Sequence, residues 1–260
     1  MLSLKNKTVC ITGASSGIGA ACAEEFAKLG CNLLLAARRK DRVDALAGKL
    51  QKTYSIATHA VHLDVRSHIE VENTFWSLAE DWHNIDILVN NAGLARGFSK
   101  LQEGTTEDWD EMIDTNIKGL LYVTRALLPS MVERNSGHVI NIGSIAGHQT
   151  YPKGNVYSAT KFAVVGITRS LRMDLLGTAV RVSSVDPGLV ETEFSQVRYR
   201  GDVERASQTY AGMTPLTPKD VAEAVVFCAT RPPHVNVGEL SITPTDQVNV
   251  TMVHRKTETP

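Results

Sequence analysis

Thr12-Gly13-Ala14-Ser15-Ser16-Gly17-Ile18-Gly19 stands between an apolar run at 8–12 and an amphipathic pattern at 17–29. Glycines let a backbone turn sharply and approach an anion closely, and a helix opening at this point presents unpaired N–H groups to it. A glycine cluster alone is weak evidence, because any tight turn can use one. Its place at the first strand–helix junction gives it the form of a dinucleotide cradle. No Lys-Ser/Thr pair follows, which excludes a nucleoside-triphosphate loop.

Outward from this turn, short apolar runs alternate with helical patterns. Strands are predicted at 8–12, 32–37, 58–63, 85–90, 138–142, 180–185 and 239–242. Helices are predicted at 17–29, 39–52, 68–82, 106–131, 156–176 and 218–229. Such alternation predicts an α/β fold: a doubly wound, Rossmann-like parallel sheet with right-handed crossovers and helices on both faces. Residues 1–260 read as one domain. The longest irregular stretch, 187–215, carries Arg198, Tyr199 and Arg200 after a strand and is the candidate substrate lid. The polar tail after Val250 is expected to fray.

The charge balance, 27 basic against 28 acidic residues, gives no electrostatic reason to expect nucleic-acid or membrane partners. Cys10, Cys22, Cys31 and Cys228 form no CxxC pair and read as reduced thiols, and the eight histidines show no HExxH spacing, so no metal site is expected. No apolar run approaches the ~18 residues of a membrane helix and the start has no signal core, which points to the cytoplasm.

The second strand ends in Ala37 followed by Arg38 and Arg39. A fold of this kind that prefers NAD commonly places an acid here for the ribose 2′-hydroxyl, whereas paired guanidiniums suit a 2′-phosphate. NADP(H) is therefore the expected cofactor; a solvated charge cluster at a helix start is the plainer alternative. Asp64 at the end of the third strand is placed to accept from the adenine amino group with Val65 packed nearby, though a strand-end Asp is often only a helix cap. Asn90-Asn91-Ala92-Gly93 ends the fourth strand, where Asn91 faces cofactor ribose and Asn90 can tie neighbouring strands.

Tyr157 and Lys161 lie four apart, on one helix face. A carbonyl that accepts hydride develops negative charge on oxygen and needs a proton, which Tyr157 can give or take back. A cation at Lys161 favours the phenolate, and Ser144 can donate a hydrogen bond to the substrate oxygen. Each residue alone has an ordinary explanation: a helix-surface pair, a turn serine, a helix-capping Asn116.

Together with 12–19, 90–93 and Pro187-Gly188, these residues resemble, in order and spacing, the short-chain dehydrogenase/reductase superfamily over nearly the whole chain. Stretches 84–95, 107–118, 131–144, 154–161, 177–182 and 187–201 resemble more closely its NADP-dependent 3-hydroxy acid dehydrogenases, which act on serine, allo-threonine and related acids. That branch includes malonic semialdehyde reductases, and similar enzymes reduce sulfoacetaldehyde. The resemblance implies that Thr12, Gly13, Ser15, Ser16, Gly17, Ile18 and Gly19 cradle the pyrophosphate region, with Ala92 and Gly93 beside the ribose. It implies that Asn116 holds a water linking Lys161 to solvent. It also implies that Pro187, Gly188, Val190 and Thr192 contact the carboxamide and pyrophosphate, and that the chain forms a homotetramer through the helices around Leu120 and Leu171.

A small acid needs a cation. Arg198 is the first choice as carboxylate anchor, ahead of Arg96, Lys153 and Arg200, and Gln149, Tyr151 and Asn155 are expected pocket residues by position. The leading expectation is hydride transfer between NADP(H) and a small anionic 3-hydroxy acid or semialdehyde. A sulfoacetaldehyde or other small carbonyl reductase is the alternative within enzymes, and a non-catalytic NADP(H)-binding protein the alternative outside them.

Overall fold

The computed structural model describes residues 2–256. Seven parallel strands form one sheet: β1 (Thr8–Thr12), β2 (Asn32–Ala37), β3 (Thr58–His62), β4 (Ile87–Asn90), β5 (Gly137–Ile142), β6 (Val180–Pro187) and β7 (Glu239–Ile242), in the order β3-β2-β1-β4-β5-β6-β7. β1 reads as a continuous apolar run because all five of its residues are buried, as a central strand covered on both faces requires. Its side chains alternate between two apolar layers. Val9 and Ile11 join Phe26, Val43, Leu50 and Val225 on one face. Cys10 joins Leu88, Phe75, Val123 and Leu127 on the other.

The helices are α1 (Gly17–Lys28), α2 (Lys40–Tyr54), α3 (His68–Trp76), α4 (Thr106–Ile113), α5 (Leu120–Glu133), α6 (Asn155–Asp174), α7 (Phe194–Arg198), α8 (Val203–Gln208) and α9 (Pro218–Ala229); α4 and α7 pack in a separate cluster with Tyr157 rather than on the sheet faces. Asn90 ties the middle of the sheet together, donating to Asn141 Oδ1 on β5 at 3.0 Å and to Thr124 Oγ1 on α5 at 2.9 Å. The strand order reverses direction between β1 and β4, so their C-terminal ends open a crevice, the place where such sheets bind ligands.

Four predicted segments differ. The helix expected at 68–82 stops at Trp76, followed by a 3-10 turn at Glu80–Trp82. Ser77 Oγ donates to the Thr74 carbonyl and His83 Nε2 pairs with the Leu78 carbonyl, so side chains replace the main-chain ladder there. The helix expected at 106–131 is interrupted by a π-helical turn, Asp114–Gly119. The stretch 187–215 is not irregular throughout, since it holds α7 and α8. The tail after Val250 does not fray through 256. Val253 bridges to Gln247, His254 N donates to the Asp246 carbonyl, and Lys256 N donates to the Gly212 carbonyl at 2.7 Å; its last residues, 257–260, lie outside the described residues. No helix among the described residues is long and apolar enough to cross a membrane.

Candidate active site

The crevice is a cavity of about 730 Å3 running from the glycine turn to Tyr157. Gly13 adopts φ +66°, and a Cβ there would stand 2.9 Å from Asn91 Nδ2 and 3.0 Å from Ala92 Cα. Gly19 sits behind the cavity wall, where a Cβ would come within 2.5 Å of both Asn91 Nδ2 and the Gly13 carbonyl. Thr12 is likewise behind the wall. Its hydroxyl accepts from the main-chain N–H groups of Asn91 and Ala92 at 3.1 and 3.0 Å, joining β1 to the end of β4. Ser15, Ser16, Gly17 and Ile18 line the cavity together with Asn91, Ala92 and Gly93. Ser16 leaves the first turn of α1 without a side-chain cap and no acid stands in that turn, so its amides are open to an anion.

Arg38 and Arg39 border the same end. Arg39 Nε donates to Ser15 Oγ at 3.1 Å and Nη2 to Ser16 Oγ at 2.6 Å. Val65 lines the cavity, and Asp64 does as well, but Arg66 forks across both Asp64 oxygens at 2.9 and 2.5 Å. Burial raises the Asp64 pKa, and the Arg66 bonds outweigh it, leaving the carboxyl below its ordinary value. Beside it the Thr115 hydroxyl is buried without a hydrogen-bond partner and borders the cavity. A buried, unpartnered hydroxyl beside a cleft fits a polar group arriving from a ligand. Nothing in the sequence marked Thr115, because its isolation depends on the π-helical turn.

At the other end, α6 carries Tyr157 and Lys161 one turn apart, both buried. Lys161 Nζ donates to the Ile142 carbonyl at 2.9 Å and lies 6.0 Å from the Tyr157 ring centroid. Burial pulls the Lys161 ammonium down to about 8, against the opposing charge of Asp186. Burial and Tyr151 push the Tyr157 phenol above its usual value, while Ser144 and the Arg198 cation pull the other way. Burial outweighs every other influence on the phenol here. The Lys161 ammonium is committed to a main-chain carbonyl.

Ser144 Oγ lines the cavity, accepts from Ala146 N at 3.1 Å and donates to the Pro187 carbonyl at 3.4 Å. Asn116, within the π-helical turn, is fully engaged. Its amide donates to the Leu94 carbonyl at 2.8 Å and to Thr160 Oγ1 at 3.0 Å, and its Oδ1 accepts from Leu94 N at 2.8 Å. Its side chain therefore fixes the loop after β4.

Pro187, Gly188, Val190 and Thr192 also line the cavity, with Thr192 close against Gly17. Beyond them, Arg198 points into the cavity. Its guanidinium lies 5.0, 5.6 and 5.8 Å from the ring centroids of Phe98, Tyr151 and Tyr157, and its Nε donates to the Gly97 carbonyl at 3.0 Å. Among the described residues no carboxylate pairs with it. Arg96 is instead bound to Glu111 at 2.5 Å, Arg200 is paired with Asp108, and Lys153 lies over Phe98 outside the cavity lining. Gln149 and Asn155 correct the positional expectation. Neither lines the cavity: Gln149 accepts from Val250 N at 3.4 Å, and Asn155 Nδ2 donates to the Ser99 carbonyl at 3.0 Å. Among the described residues one trio of possible metal ligands, His148, Asp186 and Glu239, has ligand atoms within 4.8 Å of one another. His148 is bonded to Asp186 at 2.8 Å and Glu239 to Arg169 at 2.6 and 3.0 Å.

Comparison with known proteins agrees with this geometry. The NADP-dependent 3-hydroxy acid dehydrogenase YdfG of Escherichia coli (strain K12) is 48% identical over 250 residues, covering 95% of this chain and 99% of its own. Sulfoacetaldehyde reductase 2 of Chromohalobacter salexigens is 45% identical over 240 residues, covering 92% and 94%. Among solved structures, the closed form of a serine dehydrogenase complexed with NADP+ superposes with a TM-score of 0.90 at 47% identity, over 96% of this chain and 100% of that one. Residues 7–202 match the short chain dehydrogenase family as a whole, and with these relatives across its length the chain belongs to that family.

Proposed function

We propose that the chain transfers hydride between NADP(H) and a small 3-hydroxy acid or its semialdehyde, with Arg198 holding the substrate anion. NADP(H), when bound, supplies or accepts the hydride at the carbonyl carbon. The residues fit that cofactor: an uncapped helix N-terminus for the pyrophosphate, two arginines at the end of β2 for the 2′-phosphate, and an unpartnered Thr115 hydroxyl along the wall. Tyr157 gives its phenolic proton to the carbonyl oxygen as the C–O bond order falls, and takes it back in oxidation. Ser144 donates to the same oxygen. Lys161, held against the strand end, meets the nicotinamide ribose and passes a proton to the phenol from solvent by way of a water held near Asn116. The raised phenol keeps Tyr157 protonated, the form that carbonyl reduction uses.

The observation that carries the substrate class is a guanidinium beside Tyr157 with no acid of its own. Its planar fork suits a carboxylate. It suits a sulfonate as well, which keeps the sulfoacetaldehyde reading open, in line with the 45% relative. A non-catalytic NADP(H) sensor would have no need of Tyr157, Lys161, Ser144 and Asn116 together at one end of the cavity. NADPH oxidation with malonic semialdehyde, sulfoacetaldehyde and neutral aldehydes, and NADP+ reduction with serine and 3-hydroxypropionate, test the reading. Faster turnover of neutral aldehydes than of either anion would overturn it, and turnover of nothing would favour the sensor.

The proposal includes 187–215 as a lid over the substrate, a homotetramer, and a cytoplasmic location. The first is supported by Phe194 and Arg198 standing against the Tyr157 ring, the second by apolar residues exposed on α5 and α6, and the third by the absence of any disulfide among four buried cysteines.

A further inference from the structure

Glu193 leads into α7, far along the chain from the glycine turn, yet its carboxylate closes over that turn. One oxygen accepts from Arg39 Nη1 at 2.7 Å and the other from Arg42 Nη1 at 2.8 Å. Arg39 is at the same time held by Ser15 and Ser16. A single guanidinium thus binds the two serines of the cradle along one edge and the 187–215 segment through its remaining nitrogen. The two arginine bonds hold the Glu193 carboxyl below its ordinary pKa, so it stays ionised. All three side chains keep at least 40% of their surface in solvent, so the pairs can exchange partners.

Two guanidiniums converging on one anion form a site that a phosphate monoester fills as well as a carboxylate does. A dianionic 2′-phosphate and the Glu193 carboxylate cannot share the same donors without repulsion. We propose that Glu193 is a tethered competitor for the cofactor 2′-phosphate at Arg39, held there with the help of Arg42, so that seating this phosphate and releasing residue 193 are one event. This rests on the role given above to Arg39.

The consequence reaches the substrate end. Phe194, the next residue, packs edge-on against the Tyr157 ring at 5.7 Å, and Arg198, one helical turn on, lies 5.8 Å from the same ring. A cofactor bearing the phosphate frees the strap that carries these two side chains. A cofactor lacking it leaves the strap fastened, with the carboxylate beside a ribose hydroxyl that can donate to it. Glu193 therefore sets how strongly the chain discriminates between NADPH and NADH, and the arginines alone would bind NADPH more tightly than the intact protein does.

Equilibrium fluorescence titration of Glu193→Gln with NADPH and with NADH, without substrate, tests this. Removing the competing charge should tighten NADPH binding by about three- to tenfold, as expected for loss of two half-exposed ion pairs, and leave NADH unchanged or weaker. Glu193→Ala should behave alike, because both remove the charge. An NADPH-to-NADH affinity ratio that stays level or falls in both variants overturns the proposal. Arg39→Ala separates the two layers of inference. If it abolishes the preference for NADPH while the Glu193 variants leave the ratio unmoved, the competitor falls and the arginine site stands. If it leaves the preference intact, the arginine site falls and the competitor with it.

Discussion

Arg198 concentrates the choice of substrate in one guanidinium. It sits among three aromatic faces, bonded to the Gly97 carbonyl and touching the Tyr151 phenol, with no carboxylate partner among the described residues. A hydrogen bond to a charged group is worth about 1.5–3 kcal/mol, so Arg198→Ala should raise KM for an anionic substrate by roughly 10- to 100-fold and leave a neutral aldehyde of equal size nearly unaffected. Steady-state kinetics on the matched pair checks this, and equal losses for both would remove the anion clamp. Lys161 governs the pH dependence. Its pKa is lowered to about 8, so it is cationic below that pH and loses its proton as pH rises through it. The Tyr157 phenol, raised by burial, remains protonated across the same range. For carbonyl reduction, kcat/KM should therefore be level on the acid side and fall on an alkaline limb near pH 8. Lys161→Arg should shift that limb upward, because a guanidinium does not titrate there. A wild-type profile level through about pH 10 would mean that the charge of Lys161 does not matter to the step.

At the scale of elements, the junction of β1 and α1 carries the tightest geometric demand. A methyl group at residue 19 meets Asn91 Nδ2 and the Gly13 carbonyl at 2.5 Å, and neither is the free end of a flexible chain. Gly19→Ala should cost about 1–3 kcal/mol of stability, the usual range for overpacking, and should weaken NADPH binding because the first turn of α1 is displaced from the cradle. Urea unfolding and cofactor titration together check this; a variant with unchanged midpoint and affinity would show that the wall yields freely. This junction was legible in the sequence because its constraint is local: glycines where no Cβ fits, flanked by a five-residue run with every side chain buried. Tyr157 and Lys161 were legible for the same reason, since four residues on one helix fix their common face. The π-helical turn was not, because one extra residue in a helix leaves the apolar pattern nearly intact on either side. Nor was α7, whose supports come from elsewhere: Arg198 Nε on the Gly97 carbonyl, and Ser195 Oγ paired with Tyr210 at 2.8 Å. Gln149 and Asn155 misled because sequence position between Ser144 and Tyr157 says nothing of which way a side chain turns. Glu193 and Arg42 were invisible as a pair, being joined only when the chain folds back on the turn.

The whole molecule leaves two helices with unfinished surfaces. On α5, Leu121 and Val132 are exposed, three turns apart on one face. On α6, Phe162 and Met173 repeat the same spacing with Gly166 exposed between them, and Leu176 beyond the helix is 88% exposed. The residues first singled out on these helices, Leu120 and Leu171, turn inward instead, Leu120 being buried and Leu171 packed against the core. If the proposed tetramer forms through these helices, Leu121, Phe162 and Met173 would meet the partner rather than Leu120 and Leu171. Exposed apolar side chains repeated on one helix face suit an association surface, here with Arg125 and Arg169 standing between them. Light scattering should give a mass about four times the 28.3 kDa of the chain. Met173→Asp puts a charge on the stripe without touching the cavity, so it should lower the oligomeric mass while cofactor affinity of the dissociated chain stays within about twofold. A wild-type chain that runs as a monomer at micromolar concentration would assign these stripes to some other partner, and a Met173→Asp variant that keeps the full mass would place the interface on a different face.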